Sequence, residues 1–324
     1  MKKILITGAT GFVGSHLAEL CVQKGYKVVA FDRYNPNYNL GWLEKSEYKD
    51  DINFIFGDIR DYDSVLKSMK GCSIVFHLAA LIGIPYSYFS PLAYIKTNIE
   101  GTYNVLESSK HLDLEQTIIT STSETYGSAK YVPIDEKHSL SSQSPYSASK
   151  ISADQLSLSY WNSFQLPIKI IRPFNIYGPR QSFRAVIPSI IIQALNNKKV
   201  INLGNIEPTR DFTYVKDTCD AFLAILKTNR FFGNVLNVGS NNEYSIETIT
   251  KKILKKFNSD AKIKIEKKRI RSAKSEVVRL VCDNKKILKY TKWRPKVNFD
   301  KGLDLTIDWF EEFKDYFKHD IYHV

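Results

Sequence analysis

The feature that most constrains the fold is an alternation, over the first half of the chain, between short apolar runs and segments of helical period. The apolar runs are rich in β-branched residues, as strands buried on both faces are; they are KILIT, KVVAF, INFIF, SIVFHL, TIIT and IKIIRPF. The segment after the first run has helical spacing at Val13, Leu17, Leu20 and Cys21, with Gly25 placed to end the helix. Repeated strand–helix–strand units of this kind predict an α/β fold with a doubly wound parallel sheet.

The second half of the chain has a less regular pattern. Beyond Pro179 it predicts a helix through IPSIIIQALNN, a strand through NVLNVG and a lysine-rich α+β region after them. No internal repeat or low-complexity linker divides the chain, so two parts that share segments are expected. We predict that residues 1–175 form the sheet domain, with a return segment at about 210–238, and that 176–324 form most of a smaller α+β lobe.

The composition is that of a soluble globular protein. Of the 324 residues, 43% are hydrophobic and 25% are charged, and no apolar run reaches the roughly 18 residues of a membrane span. The start, MKKILITGATGFVG, resembles a signal peptide in its charge and apolar run, but glycine and threonine interrupt that run. A first strand explains it better, so the expected location is the cytoplasm, with no membrane partner.

Neither a metal nor a nucleic acid is expected as a partner. The four cysteines form no CxxC pair, which predicts reduced, buried thiols, and the six histidines lack the HExxH spacing of a zinc site. The net charge of +12 comes largely from lysines spread over the last third, as in KKILKKFNSDAKIKIEKKRIR. Because no interleaved aromatic residues and no nucleic-acid motif accompany them, these lysines predict a solvated basic surface.

A glycine-rich turn directly follows the first strand. Gly8, Gly11 and Gly14 are spaced as in turns that let the backbone approach a pyrophosphate, and Phe12 and Val13 begin a helix whose free N–H groups favour phosphate. A glycine triplet alone is weak support, because any tight strand-to-helix turn favours glycine. Here the strand before it and the helix after it supply the required context, so the segment predicts dinucleotide binding in a Rossmann-type domain.

Three later segments fit the same cofactor. Asp32 ends the second strand, 18 residues after Gly14, where a carboxylate can bind the adenosine ribose hydroxyls. It predicts NAD, while the neighbouring Arg33 keeps NADP as the alternative. Asp58 and Ile59 follow the third strand and are candidates to meet the adenine. The segment at the end of the fourth strand includes small residues that let a cofactor lie close; its candidates are Leu78, Ala79 and Ala80.

A polar tip follows the fifth apolar run. In ITSTSETYG the run ends at Thr120, and Thr122, Ser123 and Glu124 then place two hydroxyls and a carboxylate side by side. Ligands bind at the carboxyl ends of the strands in open α/β sheets, so this tip is a candidate catalytic site. The alternative is that Glu124 is a loop carboxylate or a helix cap.

A tyrosine and a lysine stand one helical turn apart in SPYSASK, where a serine and a proline begin a helix. Tyr146 and Lys150 therefore lie on one face, and an ammonium near a phenol lowers the pKa of the phenol and can hold a nicotinamide ribose. Tyr126 and Lys130 have the same spacing, but they fall in a loop, where that spacing brings nothing together.

Together these motifs resemble the extended short-chain dehydrogenase/reductase family, in its nucleotide-sugar epimerase/dehydratase branch. The resemblance rests on the glycine triplet, Asp32, HLAA, Thr122 and YSASK, and it extends to RPFNIYGPR and PTRDFTYVKD. It implies NAD bound by a Rossmann domain and a nucleotide diphospho-sugar held by the smaller C-terminal lobe. It also implies a homodimer packed through two helices per subunit, here around 91–111 and 146–165.

Within that branch, the tip Thr122-Ser123-Glu124 resembles that of the 4,6-dehydratases, which place an acid just after the hydroxyl. The resemblance implies that Tyr146 takes the proton of the sugar 4-hydroxyl, assisted by Thr122, while hydride leaves C4 for NAD. Glu124 then removes the C5 proton, water leaves C6, and hydride returns to C6. Ser123 stands where many dehydratases have an aspartate that protonates the leaving hydroxyl, so either Glu124 or water is expected to take that part.

The same resemblance indicates substrate contacts. Asn175, in RPFN, resembles the residue that positions the sugar diphosphate, and arginine matches phosphate oxygens in a bidentate way. The arginine candidates are Arg172, Arg180, Arg184, Arg210 and Arg279. Arg210 is the best supported of them, because TRDFTYV matches a motif of the family.

The overall resemblance is greatest to the dehydratases of the bacterial legionaminic acid pathway, through STSETYG, VPIDE, QSPYSASK and RPFNIYGPRQSFRAVIP. It implies a GDP- or UDP-linked N-acetylglucosamine as substrate and a 4-keto-6-deoxy sugar as product. One alternative is a UDP-glucuronic acid decarboxylase, which shares Thr-Ser-Glu, the tyrosine–lysine pair and an arginine matching Arg184. A simple 4-epimerase ranks lower, because Glu124 would be superfluous. A non-catalytic NAD-sensing or nucleic-acid-binding protein is disfavoured, because both Tyr146 and Lys150 are present.

Overall fold

The computed structural model of the chain describes residues 2–270 and 275–316. These residues form thirteen strands and eleven α-helices, which alternate over the first half of the chain. The strands are β1 (Lys3–Thr7), β2 (Lys27–Arg33), β3 (Ile52–Gly57), β4 (Ile74–His77), β5 (Gln116–Thr120), β6 (Ile168–Pro173), β7 (Asn175–Tyr177), β8 (Val200–Leu203), β9 (Thr209–Tyr214), β10 (Asn234–Val238), β11 (Glu243–Ser245), β12 (Lys262–Ile265) and β13 (Arg279–Leu280). The helices are α1 (Phe12–Gln23), α2 (Tyr62–Met69), α3 (Ile84–Phe89), α4 (Pro91–Tyr94), α5 (Gly101–His111), α6 (Pro145–Phe164), α7 (Val186–Leu195), α8 (Val215–Leu226), α9 (Ile246–Lys256), α10 (Lys285–Tyr290) and α11 (Phe299–Glu312).

Seven parallel strands form the central sheet, in the order β10-β6-β5-β4-β1-β2-β3. From β1 the chain moves outward through β2 and β3, crosses back to β4, and moves outward the other way through β5 and β6. This doubly wound order confirms the predicted α/β Rossmann-type fold. The direction reverses between β1 and β4, so the carboxyl ends of these strands border the crevice where ligands bind in such folds.

The hydrophobic core lies on both faces of this sheet, because successive side chains of a strand point to opposite faces. In β1, Ile4 and Ile6 join one hydrophobic cluster with residues of α1 and α8, and Leu5 joins another with residues of α2 and α5. All three side chains are fully buried. The continuous apolar runs in the sequence are therefore strands covered by helices on both sides.

A smaller sheet lies in the second half of the chain. β9 is its central strand and pairs in parallel with β7 and β13 and antiparallel with β11, while β8 and β12 form a separate parallel pair. Apart from β9, these strands have two to four residues, which is too short for a clear periodic signal. The sequence therefore predicts an α+β region here but does not predict which of these strands pair with one another. α7 packs against α9 and α11 beside these strands.

The helical path before α5 is locally widened. Between α4 and α5, the backbone of Ile95–Glu100 forms a π-helical turn, so α4, the turn and α5 run on as one path. Such turns occur frequently at functional sites. Asn98 lies on this turn and is buried.

Three further features of the fold are the state of the cysteines, the lengths of the helices and the grouping of possible metal ligands. All four cysteines are buried free thiols, as the sequence predicts. Within residues 2–270 and 275–316, no helix has both the length and the apolar character needed to cross a membrane. The described part of the chain also contains no group of three or more side chains placed to hold a metal ion.

Candidate active site

The tip of β5 lies at the carboxyl edge of the central sheet, next to the crevice. The pairing with β6 continues to Ser121, whose N–H donates to the β6 backbone at 2.7 Å. The next residues, Ser123–Tyr126, form one 3₁₀ turn, and Thr122 caps it because Thr122 Oγ1 accepts the N–H of Glu124 at 3.3 Å. Thr122 and Glu124 are half-buried at this tip, whereas Ser123 is buried.

Tyr146 reaches the same point from the first turn of α6. Ser144 caps this helix by accepting the N–H of Ser147 at 3.1 Å, and Pro145 occupies the first helical position. Ser147 Oγ donates to the backbone O of Glu124 at 2.8 Å. This bond fixes the start of α6 against the tip of β5.

Thr122, Tyr146 and Glu124 form one group at this junction. Burial raises the pKa of the Tyr146 phenol, a side-chain hydrogen bond with Thr122 lowers it, and the nearby Glu124 carboxylate raises it further. The structure thus brings together a hydroxyl, a phenol and a carboxylate from two separate segments of the chain. Such a group can exchange protons with two neighbouring positions of a bound substrate.

Lys150 lies one turn further along the same buried face of α6. Its Nζ donates to the backbone O of Thr120, the last residue of β5, at 2.6 Å. Burial lowers the pKa of Lys150, and the Asp154 carboxylate raises it. The ammonium is thereby anchored to the end of β5, on the helix face that also carries Tyr146.

The glycine turn has the shape of a phosphate cradle. Gly8 has a φ of +71°, and a Cβ built on Gly14 would lie 2.1 Å from the backbone O of Gly8, so neither position accepts a side chain. α1 begins after Gly11, and no side chain caps its first N–H groups, those of Phe12 and Val13. A Cβ on Gly11 would lie 3.3 Å from the backbone O of Gly8. The uncapped helix and the bare turn therefore fit a pyrophosphate.

Asp32, at the end of β2, lies against this turn. Its Oδ2 accepts the backbone N–H of Thr10 at 2.9 Å and the hydroxyl of Thr10 at 2.6 Å. These bonds fix the carboxylate beside the cradle, and a carboxylate has further lone pairs for ribose hydroxyls. Asp58 forms an ion pair with Arg60, and Ile59 is buried. Both follow β3, the strand next to β2.

The segment after β4 lies on the other side of the glycine turn. Thr7 Oγ1 accepts the N–H groups of Leu78 at 3.1 Å and Ala79 at 3.0 Å, and it donates to His77 Nδ1 at 2.8 Å. Thr102 Oγ1 donates to Asn98 O at 2.6 Å, so His77 donates to Thr102 from Nε2 and its Nδ1 accepts from Thr7. Burial lowers the pKa of His77 to about 3, which keeps the ring neutral. A Cβ on Gly8 would lie 3.0 Å from Ala79 N, so this segment and the turn are in close contact.

Two buried residues that the sequence analysis did not identify connect this segment to α6. Asn98 accepts the N–H of Leu81 at 2.8 Å, and its amide donates to Leu81 O and to Ser149 Oγ, both at 2.9 Å. Tyr94 places its ring edge-on to that of Tyr146, with 6.2 Å between the ring centres. A single asparagine or tyrosine in a helix carries no sequence signal, because its role depends on which helix packs against it.

The predicted substrate arginines lie in different environments. Arg180 forms a bidentate ion pair with Glu19 of α1, at 2.8 and 3.0 Å. Arg279 is paired with Glu243. Both guanidinium groups are therefore engaged by carboxylates of the protein. Arg172, on β6, likewise forms a buried ion pair with Asp154 of α6.

The other three candidate substrate contacts are Arg210, Arg184 and Asn175. Arg210 is buried, and its Nη1 donates to Thr209 O at 3.0 Å. Arg184 is exposed and lies near Tyr94, whose pKa burial raises to about 12 while the charge of Arg184 lowers it. Asn175 has a buried Oδ1 without a hydrogen-bond partner among the described residues. Arg184 is therefore accessible to a ligand, whereas the unused acceptor of Asn175 is buried.

A helix that brings a tyrosine and a lysine to a strand tip beside a dinucleotide cradle is the arrangement of the extended short-chain dehydrogenases/reductases. The chain belongs to the GDP-mannose 4,6 dehydratase family, whose model matches residues 5–306. The human dTDP-D-glucose 4,6-dehydratase is 30% identical to it over 318 residues, which cover 96% of this chain and 90% of the human protein. The chain is therefore an enzyme of the NAD-dependent nucleotide-sugar dehydratase family.

Solved structures include both dehydratases and epimerases among its neighbours. The dTDP-glucose 4,6-dehydratase of Bacillus anthracis, in complex with NAD, has a TM-score of 0.85 and 29% identity, and the match covers 98% of each chain. The UDP-glucuronic acid 4-epimerase of Bacillus cereus, in complex with UDP-glucuronic acid and NAD, has a TM-score of 0.87 and 30% identity over 96% of this chain and 99% of the epimerase. The individual reaction must therefore be argued from the site.

Proposed function

We propose that the protein is a 4,6-dehydratase of a nucleotide-activated N-acetylglucosamine, linked to GDP or UDP, and that it forms the 4-keto-6-deoxy sugar. The observation that carries the proposal is the Glu124 carboxylate beside Tyr146 and Thr122. An epimerase that oxidises and reduces C4 needs the hydroxyl and the phenol, whereas a dehydratase also needs a base for the C5 proton. Glu124 supplies that base.

NAD is the cofactor. It is bound in the dehydratase and epimerase structures that share this fold, and Asp32, fixed beside the cradle, suits the free ribose hydroxyls of NAD. Bound there, NAD would supply the acceptor for the hydride of C4 and the source of the hydride that goes to C6. In this chain the glycine turn leaves room for the pyrophosphate, and Lys150 is the cation available to the nicotinamide ribose.

The side chains at the strand tip divide the proton transfers. Tyr146 takes the proton of the 4-hydroxyl, and Thr122 hydrogen-bonds the same sugar oxygen. Because burial raises the pKa of this phenol, it needs the Lys150 ammonium to ionise near neutral pH. The resulting 4-ketone acidifies C5, and Glu124 removes the C5 proton. Ser123 is buried and weakly acidic, so Glu124 passes its proton to the 6-hydroxyl, which leaves as water. When hydride reaches C6, a proton from solvent returns to C5.

The substrate is proposed to lie between two parts of the chain. Residues 1–175, with the return segment at about 210–238, hold the cofactor, and 176–324 hold most of the nucleotide diphospho-sugar. Two observations favour Arg184 and Asn175 as substrate contacts: Arg184 is exposed, and the buried Oδ1 of Asn175 has no hydrogen-bond partner among the described residues. The remaining predicted substrate contacts stay predictions; they are Arg180, Arg210 and Arg279.

A UDP-glucuronic acid decarboxylase is the second candidate. The observation that favours it is Arg184, exposed near Tyr94, whose ring contacts that of Tyr146. A guanidinium at that place suits a sugar carboxylate, and oxidation at C4 promotes the loss of that carboxylate from C5. The fold similarity to an epimerase that acts on UDP-glucuronic acid adds to this candidate. A simple 4-epimerase ranks third, because Glu124 would have no part in it.

We also propose that the protein is a homodimer. Large apolar side chains are exposed along α4, the π-helical turn, α5 and the end of α6; they are Leu92, Ile95, Tyr103 and Phe164. Exposed patches of this kind mark interaction surfaces, and a second copy supplies a matching face. Ile95→Glu should therefore convert a dimer into a monomer in analytical ultracentrifugation. A wild type that sediments as a monomer would contradict this part of the proposal.

The reaction is tested by incubating the enzyme with GDP- and UDP-N-acetylglucosamine in heavy water. A dehydratase exchanges the C5 proton, so the product should carry deuterium at C5 and lack the 6-hydroxyl. A product with an intact 6-hydroxyl and no deuterium at C5 would be that of an epimerase. The cytoplasmic location and the absence of nucleic-acid and membrane partners stay predictions.

A further inference from the structure

The buried face of α6 carries polar and charged side chains instead of a hydrophobic stripe. Tyr146, Lys150, Asp154 and Ser157 follow one another at the spacing of helical turns, and all four are buried. A buried charge is costly unless it is paired. Lys150 has a part in the proposed reaction, whereas the reaction makes no use of Asp154, which is fully buried.

Asp154 is held by two side chains from the neighbouring strands. Its Oδ2 accepts Ser121 Oγ at 2.6 Å and Arg172 Nη2 at 2.6 Å, and Arg172 Nε also donates to Ser121 Oγ at 3.4 Å. The side chains of Arg172 and Asp154 are 3% and 0% exposed. The guanidinium carbon lies 4.6 Å from the centre of the Tyr126 ring. These contacts fix the carboxylate at the base of the polar tip of β5.

Unused hydrogen-bonding capacity in this region lies on Asp154, on Lys150 and on the buried Thr120 hydroxyl. Asp154 Oδ1 is buried and has no hydrogen-bond partner among the described residues. Lys150, one turn away on the same helix face, donates from Nζ to the backbone O of Thr120. An ammonium has three donors, so this bond alone does not balance its charge. The Asp154 carboxylate lies one turn further along the helix and raises the pKa of Lys150.

We propose that Asp154 is a positioning residue for Lys150: its carboxylate, locked by Arg172 and Ser121, keeps the buried ammonium charged. A charged Lys150 in turn favours ionisation of Tyr146. The proposal rests on the role of Lys150 in the proposed function and extends it to a group that does not touch the substrate.

The other ionisable groups around the Lys150 ammonium do not supply a negative charge that keeps it protonated. His77 on β4 is neutral, because burial lowers its pKa to about 3. Tyr146 is a buried neutral phenol whose pKa is raised, and Glu124 at the tip of β5 acts on that phenol. Arg172 on β6 is positive and is paired with Asp154. Burial lowers the pKa of the lysine, and the Asp154 carboxylate opposes that shift.

Two double variants remove the carboxylate without leaving a buried charge unpaired. Asp154→Leu/Arg172→Met replaces the ion pair with apolar side chains of similar volume, an exchange that buried ion pairs often tolerate. Asp154→Asn/Arg172→Gln keeps polar groups but removes both charges. Ser157→Ala is the matched control, because it removes a buried hydroxyl from the same helix face and leaves the charges in place.

The first readout is the titration of Lys150 itself. It is followed in the NAD-bound protein by NMR of lysine labelled with carbon-13 at Cε, and the signal is assigned by comparison with Lys150→Met. Each double variant should titrate at a pH lower by about one unit or more, because desolvation then acts without an opposing charge. Ser157→Ala should titrate as the wild type does. An unshifted titration in a folded double variant overturns the proposal.

The second readout is the pH profile of turnover. If Asp154 has a purely structural role, its loss should lower kcat by the same factor at every pH. If Asp154 keeps Lys150 charged, its loss should shift the fall in kcat at alkaline pH to a lower pH. A double variant whose alkaline limb stays at the wild-type position overturns the proposal. If the wild type turns over none of the proposed substrates, the proposed function fails, and the NMR titration still decides the role of Asp154.

Discussion

The Thr122 side chain at the tip of β5 interacts with the phenol of Tyr146 at the start of α6 and lowers its pKa. Ser147 strengthens the junction between this strand and helix by donating to the backbone O of Glu124 at 2.8 Å. The orientation of the phenol is therefore set by the packing of helix against strand. Because Glu124 belongs to the same 3₁₀ turn, the junction also determines where the carboxylate stands relative to the phenol.

Tyr146→Phe should abolish turnover while the protein still binds NAD. The substitution removes the hydroxyl that takes the 4-hydroxyl proton and leaves the glycine cradle intact. Loss of a general base typically lowers rates by about 10²- to 10⁴-fold, so kcat measured on the substrate identified should fall at least that far. Tyr131→Phe, which removes an exposed hydroxyl bonded to Asp135, is the control and should keep wild-type turnover. Near-wild-type activity of Tyr146→Phe would refute its assignment.

Glu124→Gln should separate oxidation from elimination. The amide cannot remove the C5 proton, whereas Tyr146 and Thr122 can still assist the oxidation of C4. Reduced cofactor should therefore accumulate on the protein and be visible by its absorbance in a single-turnover experiment. Normal product formation without such accumulation would place the base on another residue.

The part of the site that the sequence could predict lies within single motifs. Tyr146 and Lys150 are one helical turn apart, and Thr122 and Glu124 follow a β-branched run, so local periodicity places each pair. The glycine turn is predicted by its position between a strand and a helix. These features depend on neighbours in the chain, which a sequence displays directly.

The contacts that the sequence could not predict join distant segments. The pairing of Arg180 with Glu19, and of Arg172 with Asp154, depends on how distant segments of the chain pack. From the sequence alone, an arginine that contacts the substrate therefore cannot be distinguished from one that pairs with a carboxylate of the protein.

Arg180 and Glu19 should behave as a structural pair. Arg180→Gln leaves the largely buried Glu19 carboxylate without its partner, which costs about 1–3 kcal/mol of the free energy of unfolding. The double variant Glu19→Gln/Arg180→Gln should recover most of that loss in urea unfolding, with KM unchanged. If Arg180 instead holds the diphosphate, KM rises in both variants and the double variant does not restore it.

Acid should destabilise the protein through two buried histidines. Burial lowers the pKa of His16 to about 4 and that of His77 to about 3, below the unfolded value of about 6.5. The unfolded chain therefore binds protons that the folded chain does not. The stability from these histidines is fully present above about pH 6.5 and is lost as the pH falls toward the folded pKa values.

Each of the two histidines should contribute about 1.4 kcal/mol per pH unit to the slope of the free energy of unfolding between about pH 5 and 6. His16→Gln keeps a donor for Pro179 O, which the His16 ring contacts at 3.1 Å, and removes one titrating group. Urea unfolding at several pH values should show a slope reduced by that amount. A slope equal to that of the wild type would mean that His16 is not neutral in the folded protein.

The measurement that tests the central claim most directly is a mass spectrum of the product. The protein and NAD are incubated with UDP- and GDP-N-acetylglucosamine and, separately, with UDP-glucuronic acid. The proposed dehydratase should remove one water from an N-acetylglucosamine donor, and the donor that reacts identifies the nucleotide. Loss of carbon dioxide from UDP-glucuronic acid, with both N-acetylglucosamine donors unchanged, would contradict the dehydratase and establish the decarboxylase instead.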